Sequence, residues 1–296
     1  MVTNKSFLSK LCDIIIYFIL AVICLICLVP LVNTLALSFS SSSAANAGKV
    51  LLWPVDPTLA SYEKIISDSA YIQAIGVSCM RVLVGTSVSF AIIVTMAYPL
   101  SKSAKTFRFR NVYMWAVIST MLFSGGLIPL YMMVYHLKLI NSFWSLILPC
   151  AVPVFNVILV MNYMKGLPKS VEESAELDGA KPWTILLRIV MPMCKPVLAT
   201  VTLFTAVGHW NQYFDGMIYL NSPSKWPVQT YIQSLQTNLS ELSTMTDPEE
   251  IARLLQVSGI TFNAAKVFVA LLPVIIVFPF VQKYFIGGIV LGAVKE

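Results

Sequence analysis

Five polar side chains crowd into one apolar run: His209, Asn211, Gln212, Tyr213 and Asp215. A tyrosine ring beside amide groups can stack on a sugar ring and hydrogen-bond its hydroxyls. A polar group at membrane depth either faces water and cargo or serves as glue between helices. At about 100° per residue, a continuous helix would put His209, Gln212, Tyr213 and Gly216 on one stripe. Gly208, Asn211 and Asp215 would share a second, while Trp210, Phe214 and Met217 form a third suited to lipid or apolar packing. The sequence leaves open which polar stripe lines a pathway. Asn156, in the preceding apolar run, is a further candidate.

Charge is densest over residues 164–193. Pro168-Lys169-Ser170 opens a short helix carrying Glu172, Glu173, Glu176 and Asp178, and Gly179 falls where a helix stops by entering the left-handed region. A second helix starts at Lys181-Pro182, with proline tolerated in the first turn, and runs through Trp183, Ile185, Leu186 and Ile189 to Met191-Pro192. Such a hinged amphipathic pair is a docking surface, a surface anchor or a solvated connection. Catalytic constellations are missing: there is no His-Glu-x-x-His, no Gly-x-Ser-x-Gly and no mid-span acidic pair. His136 and His209 have no metal partners at a useful spacing. The chain is read as neither an enzyme nor a metal binder.

The elements that must position these residues follow from composition. In 296 residues, 57% are hydrophobic and only 11% charged, with a mean hydropathy of +0.79. A soluble domain carries roughly a quarter of its residues charged, so soluble and disordered classes are excluded. A spanning helix needs roughly 20 mainly apolar residues, and six runs supply them: 13–37, 73–100, 112–133, 139–163, 194–220 and 260–281. The expected fold is all-α and integral to the membrane, a single transmembrane domain over 1–296. The first run is too long for the apolar core of a signal peptide and is read as a retained helix.

Most Lys and Arg fall on one side of this arrangement, including Lys5, Lys102, Arg108, Arg110, Lys165, Lys181 and Lys295, which predicts cytoplasmic termini. Arg81 and Lys266 enter spans near their ends, where snorkelling or a wet cavity would accommodate them. Residues 58–70 predict an interfacial helix with Leu59, Tyr62, Ile65 and Ile66 on one stripe. Thr246-Asp247-Pro248-Glu249-Glu250 predicts an N-capped helix. Gly125-Gly126, Pro129, Pro149 and Pro153 predict bends. The six cysteines lie mostly in or beside apolar runs, so no disulfide is expected, and no basic face suggests nucleic acid.

Glu173-Ser174-Ala175, three residues, Gly179, nine residues and Ile189-Val190-Met191-Pro192 resemble the EAA loop of binding-protein-dependent ABC importer permeases, E-A-A-x3-G-x9-I-x-L-P. Ser174 and Met191 depart conservatively from that pattern. Over nearly the whole chain the resemblance is to sugar-importing permeases of the maltose class, in particular their lipoprotein-linked polysaccharide-fragment subgroup. Phe123-Ser124-Gly125-Gly126-Leu127-Ile128-Pro129, Gly208-His209-Trp210-Asn211, Gln282-Lys283-Tyr284-Phe285 and Gly292-Ala293-Val294-Lys295 carry the subgroup likeness.

The resemblance implies a six-span permease subunit for oligosaccharides or polysaccharide fragments in a bacterial plasma membrane. It implies partnership with a second permease, two ATPase subunits and an extracytoplasmic sugar-binding protein. Its coupling loop would place Glu173, Ser174, Ala175, Leu177, Asp178, Gly179, Ile189 and Pro192 against the ATPase. Small Ala175 would permit close approach there, Gly179 the bend, and Glu173 contact with a basic group. With no Gly-x4-Gly-Lys-[Ser/Thr] in the chain, ATP and magnesium would bind the partner ATPase, and this subunit would hold no cofactor. Two other readings remain at this level: an ABC permease for a non-sugar solute, and an ion-driven secondary transporter. The latter would be expected to bury paired carboxylates, and only Asp215 lies deep in a span.

Overall fold

Lipid offers no partner to a bare amide, so an embedded segment must satisfy its backbone within a helix or a closed barrel. The computed structural model describes residues 7–242 and 259–293, and among the described residues every regular element is helical. In chain order these are α1 (Phe7–Ser38), α2 (Ser42–Asn46), α3 (Ala60–Ser67), α4 (Ser69–Ser101), α5 (Arg110–Leu122), α6 (Leu127–His136) and α7 (Val154–Lys165). They continue with α8 (Lys169–Leu177), α9 (Pro182–Met193), α10 (Lys195–Asn211), α11 (Phe214–Tyr219), α12 (Val228–Leu242) and α13 (Ile260–Ala293). The predicted cap at Thr246–Glu250 and the flanking Lys5 and Lys295 lie outside the described residues.

Helices α1, α4 and the Ile260–Pro279 stretch of α13 are continuous and long and apolar enough to cross a membrane. The other three apolar runs are broken. Between α5 and α6 the chain turns through 114°. Gly126 makes that turn at φ +84°, ψ −179°, a conformation almost reserved for glycine. Pro129 does not itself bend the chain; it sits in the first turn of α6, where its missing N–H has no partner to lose. Short 3-10 turns over Phe143–Cys150 meet α7 at 46°, with Pro153 at its cap, and α9 meets α10 at 85° through Cys194. Counting each bent pair as one span gives up to six.

The described residues fall into two compact units, Met1–Ser69 with Ser234–Leu271 and Ala70–Gln233 with Leu272–Glu296. In the first, the chain after α1 folds back on that helix. Asn33 donates to the Leu51 carbonyl (2.6 Å), the Thr58 amide donates to Phe39 O (2.8 Å), and the Ser38 and Tyr62 hydroxyls meet at 2.7 Å. The predicted stripe on 58–70 divides. Ile65 is buried and Tyr62 packs on Phe39, whereas Leu59 and Ile66 face outward. Lys266 does not snorkel: it is buried, its ammonium 2.7 Å from Asp68 and over the Phe262 ring. From Ile14 to Val32 the apolar side chains of α1 are exposed all round, a surface suited to lipid or another subunit.

The second unit holds the larger core. Ile93 and Ala97 of α4, Val157 and Val160 of α7, Leu186 and Val190 of α9, and Val197 and Val201 of α10 pack together with little or no exposure.

Candidate functional site

Two assemblies in the second unit contain the residues singled out by sequence. The first is the charged loop. Helix α8 starts after Pro168, with Glu172 in its first turn, where the positive end of the helix dipole favours a carboxylate. It stops at Gly179, φ +78°. There the Gly179 amide donates to Glu176 O and the Ala180 amide to Ala175 O, both 3.0 Å, the paired closure of a Schellman turn. Pro182 then opens α9, as the spacing predicts.

Ala175 is buried in this chain's own core. Its small side chain therefore allows α8 to approach the helices of its own subunit. Glu173, Ser174, Leu177, Asp178 and Gly179 are exposed, Leu177 by 90%. Ile189 is half-buried and Pro192 exposed. Trp183 and Leu187 add exposed apolar surface on α9. An outward acidic and apolar surface thus rides on an element anchored inward.

One anchor is invisible in the sequence. Glu172 forms an ion pair with Lys102, just beyond the end of α4, and the Lys102 ammonium also lies 4.3 Å from the centre of the Tyr98 ring. Burial works to lower the Lys102 pKa, but hydrogen bonds to Glu172 and Tyr98 and their charges outweigh it and hold the group above its ordinary value. These residues are 70 positions apart, and nothing in their spacing announces the pair.

The second assembly is the polar cluster of the fifth apolar run. The three stripes drawn on a continuous helix are not realised, because α10 ends at Asn211. Gln212 is extended (φ −71°, ψ +122°), and a new helix starts at Phe214. The break separates residues that a helix would have aligned. His209 and Gly216 are buried while Gln212 and Tyr213 are exposed; Trp210 is buried while Phe214 and Met217 are exposed.

Arg81 holds the break. The side chain is fully buried in α4, so the snorkelling expectation is corrected, and its guanidinium pairs with both carboxylate oxygens of Asp215, Nη1 reaching Oδ1 at 3.1 Å. The same fork donates to Gln212 O (3.1 Å) and Leu146 O (3.3 Å). Thr230 donates to the Tyr213 carbonyl at 2.8 Å. The Gln212 carbonyl in the unwound turn is thereby satisfied by a side chain, as membrane-depth backbone requires, while the Tyr213 carbonyl also accepts from the Met217 amide at 3.2 Å.

The six pathway candidates consequently divide. Asp215 is committed to Arg81. His209 is buried with its ring against Gly85, where an added Cβ would lie 2.6 Å from Nε2. Asn156 donates to Thr205 Oγ1 (3.1 Å), an interhelical bond between α7 and α10. Asn211, Gln212 and Tyr213 remain exposed at the break, an aromatic and two amides. Among the described residues no three His, Cys, Asp or Glu converge as metal ligands.

No protein-family model matches the sequence. The chain is 36% identical over 294 residues to the polygalacturonan/rhamnogalacturonan transport system permease protein YtcP of Bacillus subtilis, covering 97% of this chain and 99% of that one. It is 38% identical over 261 residues to protein LplC of the same organism, covering 88% and 87%. Among solved structures, it superposes with a TM-score of 0.84 and 31% identity on a chain from the crystal structure of a bacterial ABC transporter involved in the import of the acidic polysaccharide alginate, covering 96% of this chain and all of that one.

Proposed function

The chain belongs to the permease subunits of bacterial carbohydrate ABC importers, and from that premise we propose that it is a six-span subunit importing oligosaccharides or polysaccharide fragments across the plasma membrane. Residues 1–296 act as one permease domain, with both termini cytoplasmic. The assembly contains a second permease, two ATPase subunits and an extracytoplasmic sugar-binding protein. ATP and magnesium belong to the ATPase, and the permease turns its closure into alternating access.

The observation that carries this reading is the two-faced helix α8. Ala175 and Glu172 attach it to its own subunit, while Glu173 and Leu177, four residues apart on one face, point outward, as does Trp183 on α9. A groove on the ATPase takes that outer face, with a basic group opposite Glu173. When the ATPase dimer closes, α8 and α9 move with it. The packed core through Leu186, Val190 and Val197 passes the displacement to the spans as a rigid-body shift. Sugar passes Asn211, Gln212 and Tyr213 at the broken fifth span, where a ring face and amide groups suit a polyol.

The test is ATP-driven uptake of labelled polygalacturonan, rhamnogalacturonan or alginate oligosaccharides into proteoliposomes holding the full complex. Glu173→Lys and Gly179→Val should abolish uptake while the permease still inserts. Uptake driven by an ion gradient in the absence of the ATPase would refute the reading.

A further inference from the structure

We propose that Lys102 is a positioning residue that makes α4 a strut, carrying the ATPase stroke from the coupling helix α8 to the unwound segment of the fifth span. This inference rests on the coupling role given above to α8.

The geometry gives α4 two attachments, one in its N-terminal half and one just past its C-terminus. Near its C-terminus, Lys102 pairs with Glu172 in the first turn of α8. Glu172 and Glu173 are adjacent, so about 100° of helix rotation separates them; the first points into its own chain and the second away from it. Ala175, three residues after Glu172, shares the inner face and packs in the same core as Ala97 and Leu100 of α4. Helices α4 and α8 are thus joined by an ion pair just past the end of α4 and share one apolar core. Its last carbonyls are also held, since Arg110 Nε donates to Leu100 O at 3.0 Å.

About 20 residues, or roughly 30 Å, earlier along the same helix, Arg81 grips Asp215 and the carbonyl of Gln212. Gln212 itself is one of the three exposed polar residues at the break. Proline interrupts α4 only at Pro99, one turn from Lys102, leaving the length between Arg81 and Tyr98 without a proline hinge. A displacement of α8 thus reaches the pathway along α4 as well as through α9 and α10. The two routes attach at opposite sides of the broken segment's environment: α10 leads into Asn211 from its own chain direction, and Arg81 holds the residues that follow. Coordinated movement of both would reshape the break, whereas movement of α10 alone would act against a fixed Arg81.

The pair is largely buried, its side chains 17% and 22% exposed, so breaking it also costs stability; a purely structural role for Lys102 would lower the amount of folded complex and leave the sugar moved per ATP unchanged. The experiment measures sugar uptake and ATP hydrolysis on the same proteoliposomes containing the complete importer, with Lys102→Glu, Glu172→Lys and the double exchange. Each single reversal should reduce sugar moved per ATP by about two- to thirtyfold, the range of mutational effects on coupling. The double exchange restores the opposite charges and should recover most of the ratio. Single variants with an unaltered ratio, or a double variant no better than the worse single one, would overturn the strut. Failure of the unmodified complex to show ATP-dependent uptake would overturn the importer reading together with it, and that outcome is visible before any variant is compared.

Discussion

Replacing Asp215 by Ala should be among the most damaging single changes in the chain. The substitution strips Arg81 of both carboxylate oxygens while the guanidinium stays fully buried, with only the Gln212 and Leu146 carbonyls left to it. Its Nε already lacks a partner, so no spare interaction absorbs the loss. Removing one member of a buried pair costs about 3–5 kcal/mol, because the other charge is stranded. Arg81→Met should cost a similar amount: it strands the carboxylate and withdraws the donors serving two carbonyls. Joining both substitutions removes both charges. What remains is the two unserved carbonyls, at about 1–3 kcal/mol each where no other donor reaches them. The double variant should therefore be clearly less unstable than the two single losses added together. At roughly 2–4 °C per kcal/mol for a domain of this size, each single variant should lower the thermal midpoint of the purified protein by about 6–20 °C. Light-scattering or size-exclusion melting of the four proteins would measure it. A loss below about 1 kcal/mol in Asp215→Ala, or full additivity in the double variant, would refute the claim that this pair pins the break.

Gly85→Ala should destabilise by about 1–3 kcal/mol, since the new Cβ meets the buried His209 ring; His209→Ala in the same chain should recover part of that in the same melting assay. Tyr213→Ala should raise the KM for oligosaccharide uptake by about three- to tenfold, the worth of one aromatic contact, with the thermal midpoint little changed; an unaltered KM would remove Tyr213 from the pathway. A lysine held above its ordinary value near 10.5 contributes stability that is fully present below that value and disappears as pH rises through the raised one. On the alkaline side the Lys102–Glu172 attachment should accordingly persist through the neutral range and weaken beyond the usual lysine range, which uptake-to-hydrolysis ratios over a rising pH series would show.

Glycine and proline positions were the legible part of the site. Gly179 and Pro182 mark the end of α8 and the start of α9 because the left-handed turn and the donor-free first turn are local demands. The extended Gln212 had no such marker. Residues 211–214 read as ordinary helix, so the stripes drawn through them failed, and the cause of the break lies in side chains far away along the sequence. Arg81 was visible only as an isolated charge in an apolar run. Its partner could be recognised only once α4, the turn at Leu146 and the fifth run were brought together.

Composition and apolar run length determined that this chain is helical and embedded, since lipid forces backbone groups to be satisfied locally, and each segment's pattern carries that information by itself. The positions of Pro168, Gly179 and Pro182 likewise marked a helix, its stop and the next helix, because these are set by neighbours in sequence. Tertiary structure decided which polar residues are spent on holding the protein together and which stay available. Asp215, Lys266, Asn156 and Glu172 found partners between 49 and 198 residues away, or across elements whose approach no local rule encodes. Asn211, Gln212 and Tyr213 were left exposed by the same packing. Pairing of buried polar groups depends on which helices meet, and that is fixed by the summed contacts of the whole core rather than by the residues that pair.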